Sequence, residues 1–129
     1  KLIKNKVSEE MTPRLQAQYF AFIENNYESA IESIDEAIHI NPDIQYATFI
    51  KFDIAEKFGD IEMMESIISR FENSDLKLKY YNNYIYMNSL LISKIQSIEE
   101  AKKYFKENIN NYTEQAKERF LNRLDNRTI

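Results

Sequence analysis

The sequence predicts an all-α fold, an α-solenoid of about three antiparallel helix pairs followed by a C-terminal capping helix. Glycine occurs once and proline twice in 129 residues, whereas sheet folds need many tight turns built from these residues. Apolar residues recur at the spacing of an amphipathic helix. The same helix start returns after 34 and then 37 residues, and a period of this size is typical of solenoids.

The clearest predicted helix runs from Asn26 to Ile40. The Asn26 side chain is suited to accept a hydrogen bond from the free N–H groups of the first turn. Pro42 disfavours helical geometry at Asn41, so the helix should end near Ile40. Between these limits, one apolar stripe follows the helix at spacings of three and four: Tyr27, Ala30, Ile31, Ile34 and Ile38.

The start of this helix recurs twice along the chain. Asp60 occupies the position in the second copy that corresponds to Asn26, and Ser97 occupies it in the third copy. Ser97 and Glu100 form a capping box, in which each side chain can satisfy a backbone N–H of the other. Gly59 is suited to end the preceding helix in a left-handed conformation.

The remaining helices are predicted from similar signals. Residues that cap a helix or open it with proline stand at four further starts: Thr12–Pro13, Pro42, Ser74 or Asp75, and Thr113. The resulting helix pairs and capping helix are 12–42, 43–74, 75–110 and 113–127. We expect one domain over residues 1–129, and Lys rather than Met at position 1 fits a piece of a longer chain.

Residues 27–42 resemble a tetratricopeptide repeat (TPR), an antiparallel helix pair with a 34-residue period. The family's aromatic, small, bulky, small and proline positions hold, in this order, Tyr27, Ala30, Ile34, Ala37 and Pro42. The likeness covers roughly residues 12–110. The chain lacks the Trp, Leu and Gly signature that the family carries in the first helix of each pair. Its third repeat is three residues longer than the family's period. The resemblance implies a right-handed solenoid.

The resemblance also implies that the first helix of each pair lines a concave surface that holds a peptide or a partner's helix. The partner-binding residues implied are Tyr19, Phe22, Tyr46, Phe49, Asp53, Asn82, Asn83 and Tyr86, with Leu15, Lys57 and Leu90 beside them. Both Asn82 and Asn83 are included because the longer third repeat leaves its register open.

The segment KYYNNYIYMN, residues 79–88, admits two interpretations. Its four tyrosines can be core, since a helix in a solenoid is covered on two sides. Alternatively, some of them line a binding groove. Tyrosine offers contact area at low entropy cost, and an asparagine amide can bond both the N–H and the C=O of a peptide backbone.

Composition disfavours several other classes of protein. The net charge of −4 gives no sign of a nucleic-acid surface. The absence of cysteine excludes a disulfide framework and fits a cytoplasmic protein. No apolar run approaches the roughly 20 residues of a membrane span. One basic stripe, Arg119, Arg123 and Arg127, is interpreted as solvated cations, with contact to an acidic partner or nucleic acid as the alternative.

Few residues are candidates for chemistry. His39 is the only histidine, with Asp35 and Asp43 one turn away on either side. A loosely metal-like cluster is one interpretation, but a solvated histidine favoured by the helix dipole is the preferred one. The sequence has no glycine-rich phosphate loop and no nucleophile elbow. We therefore predict no catalysis, no metal and no cofactor.

The predicted function is binding of a peptide or protein. The most specific version resembles the TPR-type sensor domains of bacterial peptide-responsive regulators, which join such a domain to a DNA-binding helix-turn-helix. No helix-turn-helix is visible in this chain. The alternative is a scaffold that binds a larger protein, or forms a homodimer, through its convex or terminal faces. An enzyme with a metal at His39 is a third possibility.

Overall fold

A computed structural model describes residues 6–126 and the side chains of residues 11–126. These residues form helices and no strand, so the predicted all-α class is confirmed for them. The eight helices in this part of the chain are α1 (Lys6–Phe22), α2 (Tyr27–Ile40), α3 (Tyr46–Phe58), α4 (Ile61–Glu72), α5 (Leu76–Lys79), α6 (Tyr81–Ile95), α7 (Ile98–Asn108) and α8 (Glu114–Asp125).

The helices group into two compact units. Unit 1 contains α1–α3 and ends at Asp60, and unit 2 contains α4–α8 and begins at Ile61. The boundary falls inside the helix pair predicted over 43–74. Three predictions involve both units at once: this helix pair, the single domain and the right-handed stacking of three pairs. They stay predictions.

Local capping signals correctly locate three helix starts. Each predicted cap side chain accepts a hydrogen bond from the backbone N–H three residues on: Asn26 from Ser29 (3.1 Å), Ser97 from Glu100 (3.0 Å) and Thr113 from Ala116 (3.1 Å). Gly59 ends α3 at φ 73°, the left-handed conformation predicted for it. These starts depend only on neighbouring residues, which is why the sequence reveals them.

The start of α1 differs from the prediction. The helix begins at Lys6 rather than at Thr12–Pro13, and Pro13 lies inside it. An interior proline removes a hydrogen bond and costs about 3 kcal/mol. Pro13 is buried, as are Ala17 and Ala21 at the following four-residue steps. Burial of this face offsets the cost and lets the helix continue through the proline.

Two further boundaries differ from the prediction. α3 begins at Tyr46 because Pro42 follows Asn41 in a turn, in which the N–H of Ile44 bonds the Asn41 carbonyl at 3.4 Å. The helix predicted from Ser74 or Asp75 to about Ser93 is interrupted at Tyr80. The ring of Tyr80 meets that of Phe71 edge-on, with centroids 6.4 Å apart, a contact that helix periodicity does not reveal.

The core of unit 1 is built largely from alanine and isoleucine. Helix α2 packs along α1, and α3 packs against both. The buried cluster between the three helices contains Ala17, Ala21, Ala30, Ile34, Ala37, Ala47, Ile50 and Ile54. Small side chains at this contact let two helix backbones approach closely. The alanine positions implied by the TPR resemblance, Ala30 and Ala37, are fully buried.

The core of unit 2 is richer in aromatic side chains. Helix α6 packs against α4 and α7, and α7 packs against α8. Among its fully or almost fully buried residues are Met64, Phe71, Ile85, Leu90, Ala101, Phe105, Phe120 and Leu124. The buried hydroxyl of Ser89 donates to the Ile85 carbonyl at 2.7 Å, which satisfies it within the same helix.

We expect Ala101→Phe to lower the free energy of unfolding by about 1–3 kcal/mol, because a larger side chain overpacks a fully buried position. Urea titration followed by far-UV circular dichroism measures the change. Glu99→Ala, at an exposed position of the same helix, serves as the control and should stay within about 0.5 kcal/mol of the parent. Equal losses in the two variants would contradict the packing described for α7.

A tyrosine–carboxylate pair fixes a helix contact in each unit. In unit 1 the Tyr27 hydroxyl donates to the carboxylate of Asp60. In unit 2 the Tyr84 hydroxyl donates to Glu72 Oε2 at 2.6 Å and thereby ties α6 to the last residue of α4. Burial, and next the hydrogen bond to Glu72, raise the pKa of Tyr84 to about 12. The folded state therefore favours the protonated hydroxyl.

The raised pKa predicts a loss of stability in alkali. The contribution of Tyr84 is fully present below its ordinary pKa of 10.0 and is lost as the pH rises from there towards about 12. We expect Tyr84→Phe to reduce the slope of unfolding free energy against pH in this window, measured by urea titration at each pH. Glu72→Gln should reduce the slope less, because burial is the larger cause. An unchanged slope in Tyr84→Phe would rule out this pair as its source.

Candidate functional site

The predicted binding residues of the first repeat lie on an exposed apolar face of α1. Leu15, Tyr19 and Phe22 are 54%, 50% and 48% exposed, and Met11, one turn earlier, is 42% exposed. Steps of four, four and three residues place these side chains on one face of the helix. We call Met11, Leu15, Tyr19 and Phe22 the α1 stripe.

The α1 stripe is distinct from the face of α1 that forms the core. The core face carries Ala17 and Ala21, both fully buried in the cluster with α2 and α3. Large apolar side chains normally occupy the core and small ones need not. In α1 Phe20 packs against the core beside these alanines, but the four large side chains of the stripe face outward, an arrangement that favours a surface adapted for contact.

The second repeat's predicted residues on α3 adjoin this helix. The Arg14 guanidinium, which borders the α1 stripe, lies 4.7 Å from the centroid of the Tyr46 ring. Tyr46 itself is 53% exposed, and Phe49 and Asp53 follow it on α3 as half-buried residues. The α1 stripe, Arg14 and Tyr46 together are called the α1–α3 surface below.

Polar contacts order the end of the α1–α3 surface that lies beside the α1–α2 turn. A hydrogen bond to Glu24, together with the negative charge of that residue, raises the pKa of Tyr19. The Lys57 ammonium donates to Asn25 Oδ1 at 2.7 Å, linking the end of α3 to the α1–α2 turn. Lys57, one of the predicted binding residues, thus fixes the turn that follows the α1 stripe. Glu24 fixes the hydroxyl of Tyr19.

Asn82, predicted to bond a peptide backbone, bonds the backbone of its own chain. Its Nδ2 donates to the Asn110 carbonyl at 2.9 Å, and its Oδ1 accepts from the Asn110 N–H at 3.3 Å. The neighbouring Tyr81 hydroxyl donates to the Asn108 carbonyl at 2.9 Å. These bonds fix the α7–α8 loop to α6. Asn83 is half-buried and lies beside the same loop.

Tyr86 belongs to an aromatic cluster of unit 2. Its ring centroid lies 5.8 Å from that of Phe105, 5.6 Å from that of Tyr112 and 4.5 Å from that of Phe120. Leu90, one turn further along α6, is buried. The ring contacts of Tyr86 fit the first interpretation of segment 79–88, in which its tyrosines are core. Part of the Tyr86 side chain nevertheless remains accessible.

Sequence reasoning missed two residues of the α1–α3 surface. Met11 precedes the predicted start of the first helix, so its four-residue spacing to Leu15 went unused. Arg14 is not among the residues predicted to bind a partner. The available signal was the alternation along α1 of small residues at 17 and 21 with large ones at 15, 19 and 22.

The histidine cluster does not assemble in unit 1. His39 is exposed in the last turn of α2, while Asp35 forms an ion pair with Lys51 of α3 at 2.7 Å. Asp43 lies outside α2, in the turn before α3. Within the described residues, no three His, Cys, Asp or Glu side chains are placed to hold a metal ion. No helix in the described part of the chain is both long and apolar enough to cross a membrane.

No protein-family model matches this sequence, and no curated protein or solved structure is significantly similar to it. The TPR resemblance therefore stays a prediction.

We expect Asn82→Ala to release the α7–α8 loop. The N–H of Asn110 loses its acceptor, so its hydrogen exchange, measured by NMR, should become faster. The free energy of unfolding should fall by about 0.5–1.5 kcal/mol. Asn82→Asp keeps the acceptor and should preserve protection at Asn110, while Asn83→Ala should leave it unchanged. Unaltered exchange in Asn82→Ala would show that this hydrogen-bond pair does not hold the loop in solution.

Proposed function

We propose that this chain is a non-catalytic binding module and that its α1–α3 surface binds a peptide or a segment of a partner protein. The observation that carries the proposal is the α1 stripe, in which four large apolar side chains are each about half exposed on one helix face. Contiguous exposed apolar side chains beside polar ones are typical of interaction sites.

The dimensions of the stripe indicate a short partner segment. Met11 and Phe22 are eleven positions apart, or about 16 Å at 1.5 Å per residue. Three turns of a partner helix, or roughly five residues of extended chain, cover this distance. A helix that presents apolar anchors every third or fourth residue fits such a stripe, as in other helix-recognition modes.

The edge of the surface is polar as well as aromatic. The Arg14 guanidinium lies 4.7 Å from the centroid of the Tyr46 ring. The proposed ligand is therefore an amphipathic segment whose apolar anchors cover the stripe.

A finer form of the proposal assigns the chain to the peptide-sensing part of a bacterial regulator. It is supported only by the TPR resemblance of residues 27–42. The alternative form is a scaffold or self-associating domain. A protein-sized partner buries of order 1,200–2,000 Å² in total, which is more than the α1 stripe offers, so residues well outside the stripe would then contribute to binding.

Selection of random peptides on the immobilised chain tests the proposal. We expect the selected peptides to share apolar anchors at helical spacing. Leu15→Gln/Phe22→Gln should weaken their binding by roughly 10-fold or more, since two half-exposed apolar side chains no longer become buried. Fluorescence anisotropy of a labelled peptide measures the change.

Leu78→Gln/Ile95→Gln is the matched control. It makes the same kind of change at exposed apolar residues of unit 2, 81% and 50% exposed, and should leave peptide affinity unchanged. Equal weakening by both pairs would remove the α1 stripe as the site. If no peptide is selected and sedimentation velocity shows a concentration-dependent dimer that Leu15→Gln/Phe22→Gln abolishes, self-association replaces peptide binding as the function.

A further inference from the structure

The exposed apolar surface of unit 1 extends beyond the α1 stripe. Ile23, directly after α1, is 68% exposed. Its N–H donates to the Tyr19 carbonyl at 2.9 Å, so the helical turn continues through Ile23 and the two side chains are neighbours. Tyr46 of α3 adds an exposed ring on the side of Arg14. We call the α1 stripe, Ile23 and Tyr46 together the extended surface.

The extended surface is large enough for a stable dimer. A fully buried aromatic side chain covers roughly 150–250 Å², and a fully buried aliphatic one roughly 60–120 Å². Three aromatic and three aliphatic side chains, each about half exposed, therefore present an apolar area of about 450 Å² per copy. Apolar atoms supply roughly 56–65% of an interface. Two copies pairing here would thus bury of order 1,500 Å² in total, within the range of specific interfaces.

Helix α1 itself has the features of the proposed ligand, because it presents apolar side chains every third or fourth residue over three turns. The first half of the α1 stripe is aliphatic, with Met11 and Leu15. Its second half is aromatic, with Tyr19 and Phe22. An antiparallel pair of such helices places the aliphatic half of each on the aromatic half of the other. The bulk between the two axes is then even along the contact, whereas a parallel pair would be narrow at one end and wide at the other.

The α1 stripe brings no unsatisfied hydrogen-bond donor into such a contact. The side chains of Met11, Leu15 and Phe22 carry no N–H or O–H group. The hydroxyl of Tyr19 forms a hydrogen bond with Glu24 of its own chain. Since a polar group that is buried without a partner opposes association, a stripe whose one hydroxyl already has a partner is suited to burial.

We infer that, without a peptide, the extended surface is covered by the extended surface of a second copy, with the two α1 helices antiparallel and Leu15 of each copy beside Tyr19 of the other. The pairing is isologous, so both copies contribute the same residues to it. It covers the proposed peptide site, and dimer formation and peptide binding therefore exclude each other. This competition rests on the proposed function, whereas the pairing itself does not.

Sedimentation velocity of the chain without peptide tests the pairing. We expect a monomer–dimer equilibrium whose Kd rises by about 10-fold or more in Leu15→Gln/Phe22→Gln, since two apolar side chains from each copy no longer become buried. Ile23→Gln should raise this Kd by about 3-fold or more and leave peptide affinity unchanged, because Ile23 lies outside the α1 stripe. Leu78→Gln/Ile95→Gln, at exposed positions of unit 2, is the control and should leave the Kd of the dimer unchanged.

Disulfide cross-linking tests the antiparallel orientation. The chain has no cysteine, so an introduced cysteine reacts only with another introduced one. With Leu15 beside Tyr19 of the other copy, Met11 lies opposite Ile23 of that copy, while the two Met11 positions are about 18 Å apart along the helices. A disulfide needs Cα atoms roughly 4.4–6.8 Å apart. A mixture of Met11→Cys and Ile23→Cys should therefore cross-link on oxidation into a heterodimer, identified by its mass, and Met11→Cys alone should not cross-link.

A peptide from the selection tests the competition. Saturation of the chain with this peptide should convert the dimer into a peptide-bound monomer, which sedimentation velocity resolves. The same peptide with glutamine in place of its apolar anchors serves as the control and should leave the dimer intact.

Three results would overturn the pairing. They are a monomer at every concentration up to about 1 mM, a dimer that Leu15→Gln/Phe22→Gln leaves intact, and Met11→Cys that cross-links with itself as readily as with Ile23→Cys. A dimer that binds the peptide without dissociating would overturn the competition. If no peptide is selected, the proposed function fails, while sedimentation and cross-linking still decide the pairing.

Discussion

The close contact of α1 with α2 is the interaction on which unit 1 depends. Ala17 and Ala21 on α1 and Ala30 on α2 are fully buried there, and a larger side chain at any of them would separate the helices. Because this contact uses the alanine face of α1, the face with Leu15, Tyr19 and Phe22 is turned outward. The same packing requirement that holds the unit together therefore creates the exposed apolar stripe.

In unit 2 the corresponding constraint is aromatic. Phe105 and Phe120 are buried side by side, with ring centroids 4.5 Å apart, and they hold α7 and α8 together. Tyr86 adds a third ring to this contact and remains partly accessible.

The sequence predicts those features that depend on neighbouring residues. Asn26, Ser97 and Thr113 cap their helices because the accepted N–H lies three residues away in the same segment. Two features depend instead on tertiary packing, which local sequence signals do not reveal. They are the interruption at Tyr80 and the start of α1 ahead of Pro13.

The predicted binding residues show the same division. Asn82 is predicted as an amide able to bond a backbone N–H and C=O together, and its partner is Asn110, 28 residues away in the same chain. The sequence shows which groups a side chain can bond, whereas the group that it does bond depends on long-range packing.

Helix initiation and surface chemistry use different residues of this chain. The cap side chains recur at corresponding positions and act within their own helices. The exposed side chains differ between the units, as Tyr46 in unit 1 and Arg119 in unit 2 show. A recurring helix start therefore does not impose a recurring surface.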